Sequence, residues 1–124
     1  MKSTRWLTPL GSFALLASSV LHASGYTRLV HRIEAGAMLA PPLDGIVKVS
    51  WLLFSVELFF LAVISFLARN MERGGRIVLL CGACTGVSAL LMLRFLGVFI
   101  GVYLLAAVTL LLVLGGTLQA KDPA

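Results

Sequence analysis

Long apolar segments alternate with short polar segments along this chain, and each apolar segment is long enough to cross a lipid bilayer. The longest stretch, residues 77–118, is about twice the length of one span, and Arg94-Phe95-Leu96-Gly97 is the only break in it. We therefore predict a tight turn there between two helices. The predicted spans are residues 6–24, 46–68, 77–93 and 98–118.

These spans predict an all-α fold, a polytopic membrane protein built as a four-transmembrane-helix bundle. The longest connection is residues 25–44, in which Leu29 and Ile33 fall on one side of a helix and Arg32 on another. This pattern is typical of a short helix lying in the membrane interface, here in the first external loop. Pro41-Pro42 is predicted to end that helix and to lead into the next span as extended chain.

Composition indicates that the chain is surrounded by lipid. Of its 124 residues, 60% are hydrophobic and 12% are charged, and the mean hydropathy is +1.03. A soluble domain of this length needs many more polar residues to cover its surface. Residues 1–124 are therefore expected to form one transmembrane domain, with the lipid bilayer as its main partner.

The net charge of +5 is explained by the basic residues that flank the apolar segments, so we expect no nucleic-acid partner. Lys and Arg in short connections set membrane orientation. Six of the ten Lys and Arg residues lie on the same side of the membrane as the two termini. This distribution predicts a multi-pass protein of the plasma (inner) membrane with both termini cytoplasmic. The six are Lys2, Arg5, Arg69, Arg73, Arg76 and Lys121, against Arg28, Arg32, Lys48 and Arg94.

The first span has a second interpretation. Lys2 and Arg5 followed by an apolar core also resemble a secretory signal peptide, for which Ala17-x-Ser19 offers a cleavage site. We favour an uncleaved first span, with cleavage after a signal peptide as the alternative.

Glu57 is the most informative single residue because it lies near the middle of the second span. A bare carboxylate there costs at least ~2.5 kcal/mol on insertion scales. One hypothesis is a proton-exchanging or cation-binding carboxylate that faces the bundle interior. The other is a hydrogen-bonded Glu57 that holds two helices together.

Two further residues are candidates for ligand or proton binding. His22 is near the outer end of the first span, and Arg94 is at the last turn, where it can be a snorkelling anchor or can reach an anionic head group. With Lys48 at similar depth they can form an outer cationic vestibule. His31-x-x-Glu34 places two possible ligands on one helical face, but its spacing matches no diagnostic metal motif. We therefore predict no metal and no cofactor.

The two cysteines form Cys81-Gly82-Ala83-Cys84, and CxxC is the spacing of dithiol-disulfide chemistry. The pair lies inside the third span with no second pair to relay electrons, so small-residue packing is the favoured interpretation. Gly82 and Gly86 form a GxxxG, and Gly97 and Gly101 repeat it. Such surfaces let helices approach closely in lipid, within one chain, in a homo-oligomer or against partner membrane subunits.

The sequence Ser55-Val56-Glu57-Leu58-Phe59-Phe60, the basic turn after it and Leu21-His22 resemble the DoxX-like group of small bacterial four-helix membrane proteins. The resemblance covers about residues 12–95 at the level of pattern. It implies a four-helix fold with a Glu in the second span. Some members of that group are linked to membrane redox or sulfur metabolism.

Three functions remain open from the sequence. The first is binding or transport of a small amphipathic or cationic molecule within the bundle, held by Glu57. The second is an accessory or structural subunit of a larger membrane complex. The third is a membrane enzyme, either a thiol oxidoreductase that uses Cys81 and Cys84 or an enzyme with Glu57 and His22 as acid and base. Catalysis is the least favoured, and no catalytic residue is assigned.

Overall fold

The computed structural model describes residues 6–36 and 41–121, apart from the side chains of residues 41 and 42, and nearly all of this part is helical. The four long apolar segments are confirmed as helices long and apolar enough to cross a membrane. The predicted all-α fold is therefore confirmed. The helices are α1 (Leu7–Ser24), α2 (Tyr26–Gly36), α3 (Pro41–Ala68), α4 (Gly74–Leu96) and α5 (Ile100–Lys121).

The four long helices form a ring in the order α1, α3, α4, α5. The α4–α5 pair has the most extensive contact, α1 packs on α3 and on α5, and α3 and α4 share the least contact among neighbours. The core between them is mainly apolar and closely filled, since Leu15, Leu58, Val78 and Leu112 are each at most 2% exposed. Because Leu15 belongs to this core, α1 is an integral part of the bundle.

Glycines set the close approach of α4 to α5. A Cβ atom on Gly75 would lie 2.6 Å from the backbone nitrogen of Ala120 and 2.8 Å from the carbonyl oxygen of Gly116. A Cβ atom on Gly82 would lie 2.9 Å from the side chain of Val113. The small-residue surface of α4 is thus filled by α5 of the same chain.

Hydroxyl pairs join helices inside the bundle. Ser12 and Ser65 connect α1 to α3 with an Oγ–Oγ distance of 2.7 Å, and the Thr109 hydroxyl donates to Thr85 Oγ1 at 3.1 Å between α5 and α4. Such bonds help to hold helices together where lipid supplies no competing partner. Gln119 of α5 binds the start of the connection between α3 and α4, because its Nε2 donates to the carbonyl oxygen of Ala68 at 3.2 Å.

Two local predictions were wrong. Pro41-Pro42 begins α3 instead of forming extended chain, since proline is tolerated in a first helical turn, where its missing N–H has no intrahelical partner. The last turn lies later than predicted, because α4 continues to Leu96 and the break is at Gly97. Its φ of +78° is a conformation that favours glycine.

The predicted short helix of the first connection is present as α2, and none of its residues is buried. Leu29 and Ile33 are half-buried, whereas Arg28 and Arg32 are exposed, as its amphipathic pattern indicated. Gly25 separates α2 from α1 and itself has helical backbone angles. The basic residues predicted before α1, Lys2 and Arg5, lie outside the described residues.

Candidate functional site

His22 is held by aromatic and hydroxyl side chains of α3. Its Nδ1 lies 2.9 Å from Ser55 Oγ. Its ring stacks on that of Trp51, with centroids 4.1 Å apart and an interplanar angle of 18°, and it meets the ring of Phe54 edge-on at 4.9 Å. The orientation of the imidazole is therefore fixed on two sides and at one nitrogen.

Backbone contacts lock α1 to α3 at the same place. Trp51 Nε1 donates to the carbonyl oxygen of His22 at 2.7 Å, and the Ser19 hydroxyl donates to the carbonyl oxygen of Ser55 at 2.7 Å. Gly25 leaves room for the indole, because a Cβ atom there would lie 2.9 Å from the Trp51 ring. We call Ser19, His22, Trp51 and Ser55 the histidine cluster, and the end of the bundle that carries it the histidine end.

The hydrogen bonds of Ser55 bear on the tautomer of His22. The Ser55 hydroxyl has one hydrogen and two acceptors within reach, the carbonyl oxygen of Trp51 at 3.1 Å and His22 Nδ1 at 2.9 Å. When the hydrogen goes to Trp51, Ser55 Oγ accepts from His22, and the proton of a neutral imidazole is on Nδ1. In that tautomer His22 Nε2 is a hydrogen-bond acceptor, and it has no partner among the described residues.

A cavity of about 320 Å³ lies beside the histidine cluster, bordered by α1, α3, α4 and α5. Its volume is at the lower end of the range for small-molecule pockets, roughly 300–1,000 Å³. The lining is almost entirely apolar, with His22, Trp51 and Ser18 as the polar exceptions. The other lining residues are Leu21, Phe54, Leu58, Met92, Ile100, Gly101, Leu104 and Leu105.

A second, smaller groove of about 190 Å³ runs between α1 and α3, lined by Phe13, Phe59 and Phe66 among others. Its one polar lining residue is Ser12, whose hydroxyl already bonds Ser65 and the carbonyl oxygen of Thr8. No polar group is left there to orient a ligand. The cavity at the histidine end is therefore the better candidate site.

Glu57 is not at this site. One of the two hypotheses for Glu57 has it facing the bundle interior, whereas in the single chain its side chain is exposed and lines neither the cavity nor the groove. The interior positions of α3 around it are Ser55 and Leu58, each at most 6% exposed. Thr85 and Thr109, at comparable depth, bond to each other instead of to a carboxylate.

The cationic residues near the histidine end do not form the vestibule that the sequence allowed as an alternative. Lys48 pairs with Asp44 one turn earlier on α3, at 3.0 Å, and so has its own counter-charge. Arg94 is exposed and does not line the cavity; its guanidinium lies 5.6 Å from the centre of the Phe95 ring. Of the three ligand-binding candidates from the sequence, the structure places His22 alone at the cavity.

The two cysteines are both free thiols on α4, with Cys81 buried and Cys84 exposed. Neither lines the cavity. In residues 6–36 and 41–121, no three His, Cys, Asp or Glu side chains come close enough together to hold a metal ion. His31 and Glu34 are both exposed on α2.

Sequence reasoning missed Trp51 and Ser55 as parts of the site. Their spacing of four residues on one helical face was visible. Which face meets His22 depends on how α1 packs against α3. That packing is not encoded in either segment alone.

The fold and the site define the chain as a small four-helix polytopic membrane protein with an apolar pocket at one end of its bundle. No family model, no curated protein and no solved structure matches it. The resemblance to the DoxX-like group therefore rests on the sequence pattern alone.

Proposed function

We propose that this protein binds a small amphipathic molecule in the cavity at the histidine end, with the polar head of the molecule on His22. The observation that carries the proposal is an apolar cavity with an oriented imidazole whose Nε2 has no partner among the described residues. A small number of convergent polar groups in an otherwise apolar pocket is the usual signature of a small-molecule site.

The available polar atoms indicate what kind of head group fits. With the proton of His22 on Nδ1, Nε2 is an acceptor, and the Ser18 hydroxyl also offers its oxygen, since it donates its hydrogen to the carbonyl oxygen of Ala14 at 2.8 Å. Both favour a ligand that donates hydrogen bonds, such as an alcohol or a phenol. No acidic side chain is among the lining residues, so an uncharged head is favoured over the cationic one that the sequence also allowed.

Packing favours binding over passage through the bundle. The cavity ends on Leu58 and Leu105, each 2% exposed. Leu15, Val108 and Leu112, at most 2% exposed, fill the core beyond them. An apolar chain can occupy the cavity, but further movement along the bundle requires these side chains to separate.

In this proposal His22, and not Glu57, binds the polar head of the ligand. An enzyme with Glu57 and His22 as acid and base gains no support, because one side chain faces outwards and the other lines the cavity. The exposed position of Glu57 is a separate observation, which bears on association of the chain and not on the ligand site. We keep the proposed orientation, with both termini cytoplasmic in the plasma (inner) membrane, on the distribution of Lys and Arg.

The test is thermal unfolding of the purified protein in lipid nanodiscs with three matched probes: 4-octylphenol, its methyl ether and octyltrimethylammonium. We expect the phenol to raise Tm saturably and the other two to do so at least tenfold more weakly, since each loses the hydrogen bond to His22. Equal effects of phenol and ether would refute the proposal.

The matched variants are His22→Phe and His31→Phe. His22→Phe keeps an aromatic ring against Trp51 but removes the acceptor, so the response to the phenol should fall about tenfold. His31→Phe changes an exposed residue of α2 and should respond like the unaltered protein. A full response in His22→Phe would contradict the assignment.

Fluorescence gives an independent measurement, because the chain has two tryptophans and one of them lines the cavity. In a Trp6→Phe background, a brominated alkylphenol bound in the cavity should quench Trp51 saturably. Quenching that rises only linearly with concentration would indicate partitioning into lipid without a site.

A further inference from the structure

Glu57 lies on an outward stripe of α3 that is otherwise apolar. Leu53, Phe60 and Ile64, one or two turns away on the same side of the helix, are exposed large hydrophobic residues. Glu57 is eleven residues from Ala68, the end of α3, which is about 16 Å along the helix axis and close to mid-membrane. We call Leu53, Glu57, Phe60 and Ile64 the Glu57 face.

The carboxyl group has no partner within residues 6–36 and 41–121. It takes no part in the hydrogen bonds of the described residues, and their one ion pair joins Lys48 to Asp44. Ionisable residues within spans usually face the bundle interior or a water-filled cavity, where they are paired. Because α3 turns Glu57 away from its own bundle, a group on a neighbouring molecule in the membrane can supply the partner.

A second copy of this chain provides such a group. A copy inserted in the same direction carries its own Glu57 at the same depth. A two-fold axis along the membrane normal then brings the two carboxyl groups together. Two neighbouring carboxyl groups do not both ionise, and a protonated one donates a hydrogen bond to the other. A different protein would need a donor or a cation at that particular depth.

The GxxxG of α4, another surface that the sequence offers for self-association, is already used. Its glycines, which could serve contacts within one chain or between chains, are covered by α5, as the contact of Gly82 with Val113 shows. The Glu57 face is free of such contacts in the single chain. Polar side chains that hydrogen-bond across helices are a second established means of association in lipid.

We propose that the Glu57 face is the interface of a parallel homodimer, in which the two Glu57 carboxyl groups hydrogen-bond to each other at the two-fold axis. Leu53, Phe60 and Ile64 pack around this contact and keep it dry. The pocket at the histidine end is not part of the interface. The dimer and the ligand site can therefore be tested separately.

Association is measured by single-molecule photobleaching of the labelled protein in liposomes over a range of protein-to-lipid ratios. Glu57→Gln keeps a group that donates and accepts hydrogen bonds, so the dimer should remain. Glu57→Leu removes that group and should weaken dimerisation about tenfold. Leu110→Ala, on an exposed position of α5, is the control and should dimerise like the unaltered protein.

Cross-linking tests the geometry. With Cys81→Ala and Cys84→Ala as background, Leu53→Cys places a thiol one turn from Glu57, and oxidation should give a disulfide-linked dimer. Leu110→Cys should not cross-link. A monomer at every protein-to-lipid ratio, unchanged association of Glu57→Leu, or cross-linking at Leu110→Cys instead of Leu53→Cys would each overturn the proposal. Stable capture of a different membrane protein by Glu57 without self-association would overturn it too.

Discussion

The close crossing of α4 and α5 makes a quantitative prediction for Gly75. In Gly75→Ala the new methyl group would lie 2.6 Å from the backbone nitrogen of Ala120, whereas ordinary contacts begin at 3.4 Å. The helices must therefore separate by about 0.8 Å (3.4 minus 2.6) at this point. A gap of that size forfeits roughly a quarter to a half of the dispersion energy of each stretched contact.

The expected cost is about 1–3 kcal/mol, the usual range for overpacking a tight contact. Alanine also has a better helix propensity than glycine, by up to ~1 kcal/mol, which partly offsets the loss. Gly45→Ala is the matched control, because Gly45 is also helical but a Cβ atom there meets nothing within 4 Å. The propensity gain is common to both variants, so the difference between them isolates the packing term.

The measurement is the free energy of unfolding in mixed micelles, followed by circular dichroism. Gly75→Ala should be less stable than Gly45→Ala by about 1–3 kcal/mol. Gly86→Ala should fall between them, because its Cβ would meet only the side chain of Thr109, at 3.1 Å. Equal stability of Gly75→Ala and Gly45→Ala would refute the close crossing of α4 and α5.

Three further predictions concern single contacts. Ser55→Ala removes the hydrogen bond to His22 and should lower the free energy of unfolding by about 1 kcal/mol and weaken binding of 4-octylphenol; unchanged binding would show that Ser55 does not orient the ring. Thr85→Val removes the hydrogen bond to Thr109 and should lower the free energy of unfolding by about 0.6 kcal/mol in the same assay. A decrease no larger than that of a Thr→Val change at an exposed position would contradict a stabilising role for this hydrogen bond. In mild detergent, a maleimide should modify the variant Cys81→Ala, which keeps Cys84, faster than Cys84→Ala, which keeps the buried thiol, as the intact mass of each variant can show; equal rates would contradict the burial.

The positions of the spans were predictable because their apolar length is set by bilayer thickness. The ends were less predictable. Pro41 can begin a helix as readily as precede one, and the turn at Gly97 depends on one φ angle in a stretch that is apolar on both sides.

The side of α3 that carries Glu57 was not predictable for a physical reason. In a soluble helix, polar residues mark the outer face, but here residues that face lipid, such as Phe60, and residues that face the core, such as Leu58, are equally apolar. The same lack of contrast hid the contact of Trp51 with His22. Small residues were better guides, since Gly82 was expected at a helix crossing and is found at one.

The limited contact between α3 and α4 bears on how a ligand reaches the cavity. The two helices are tied together where their connection and Gln119 meet, whereas the cavity lies between them towards the other end. A ligand that arrives between α3 and α4 comes sideways out of the bilayer, where an amphipathic molecule is already concentrated by partitioning. Occupancy of the cavity is then governed by the mole fraction of the ligand in the lipid. Two compounds with equal affinity for the pocket would therefore differ in apparent potency according to their lipid solubility.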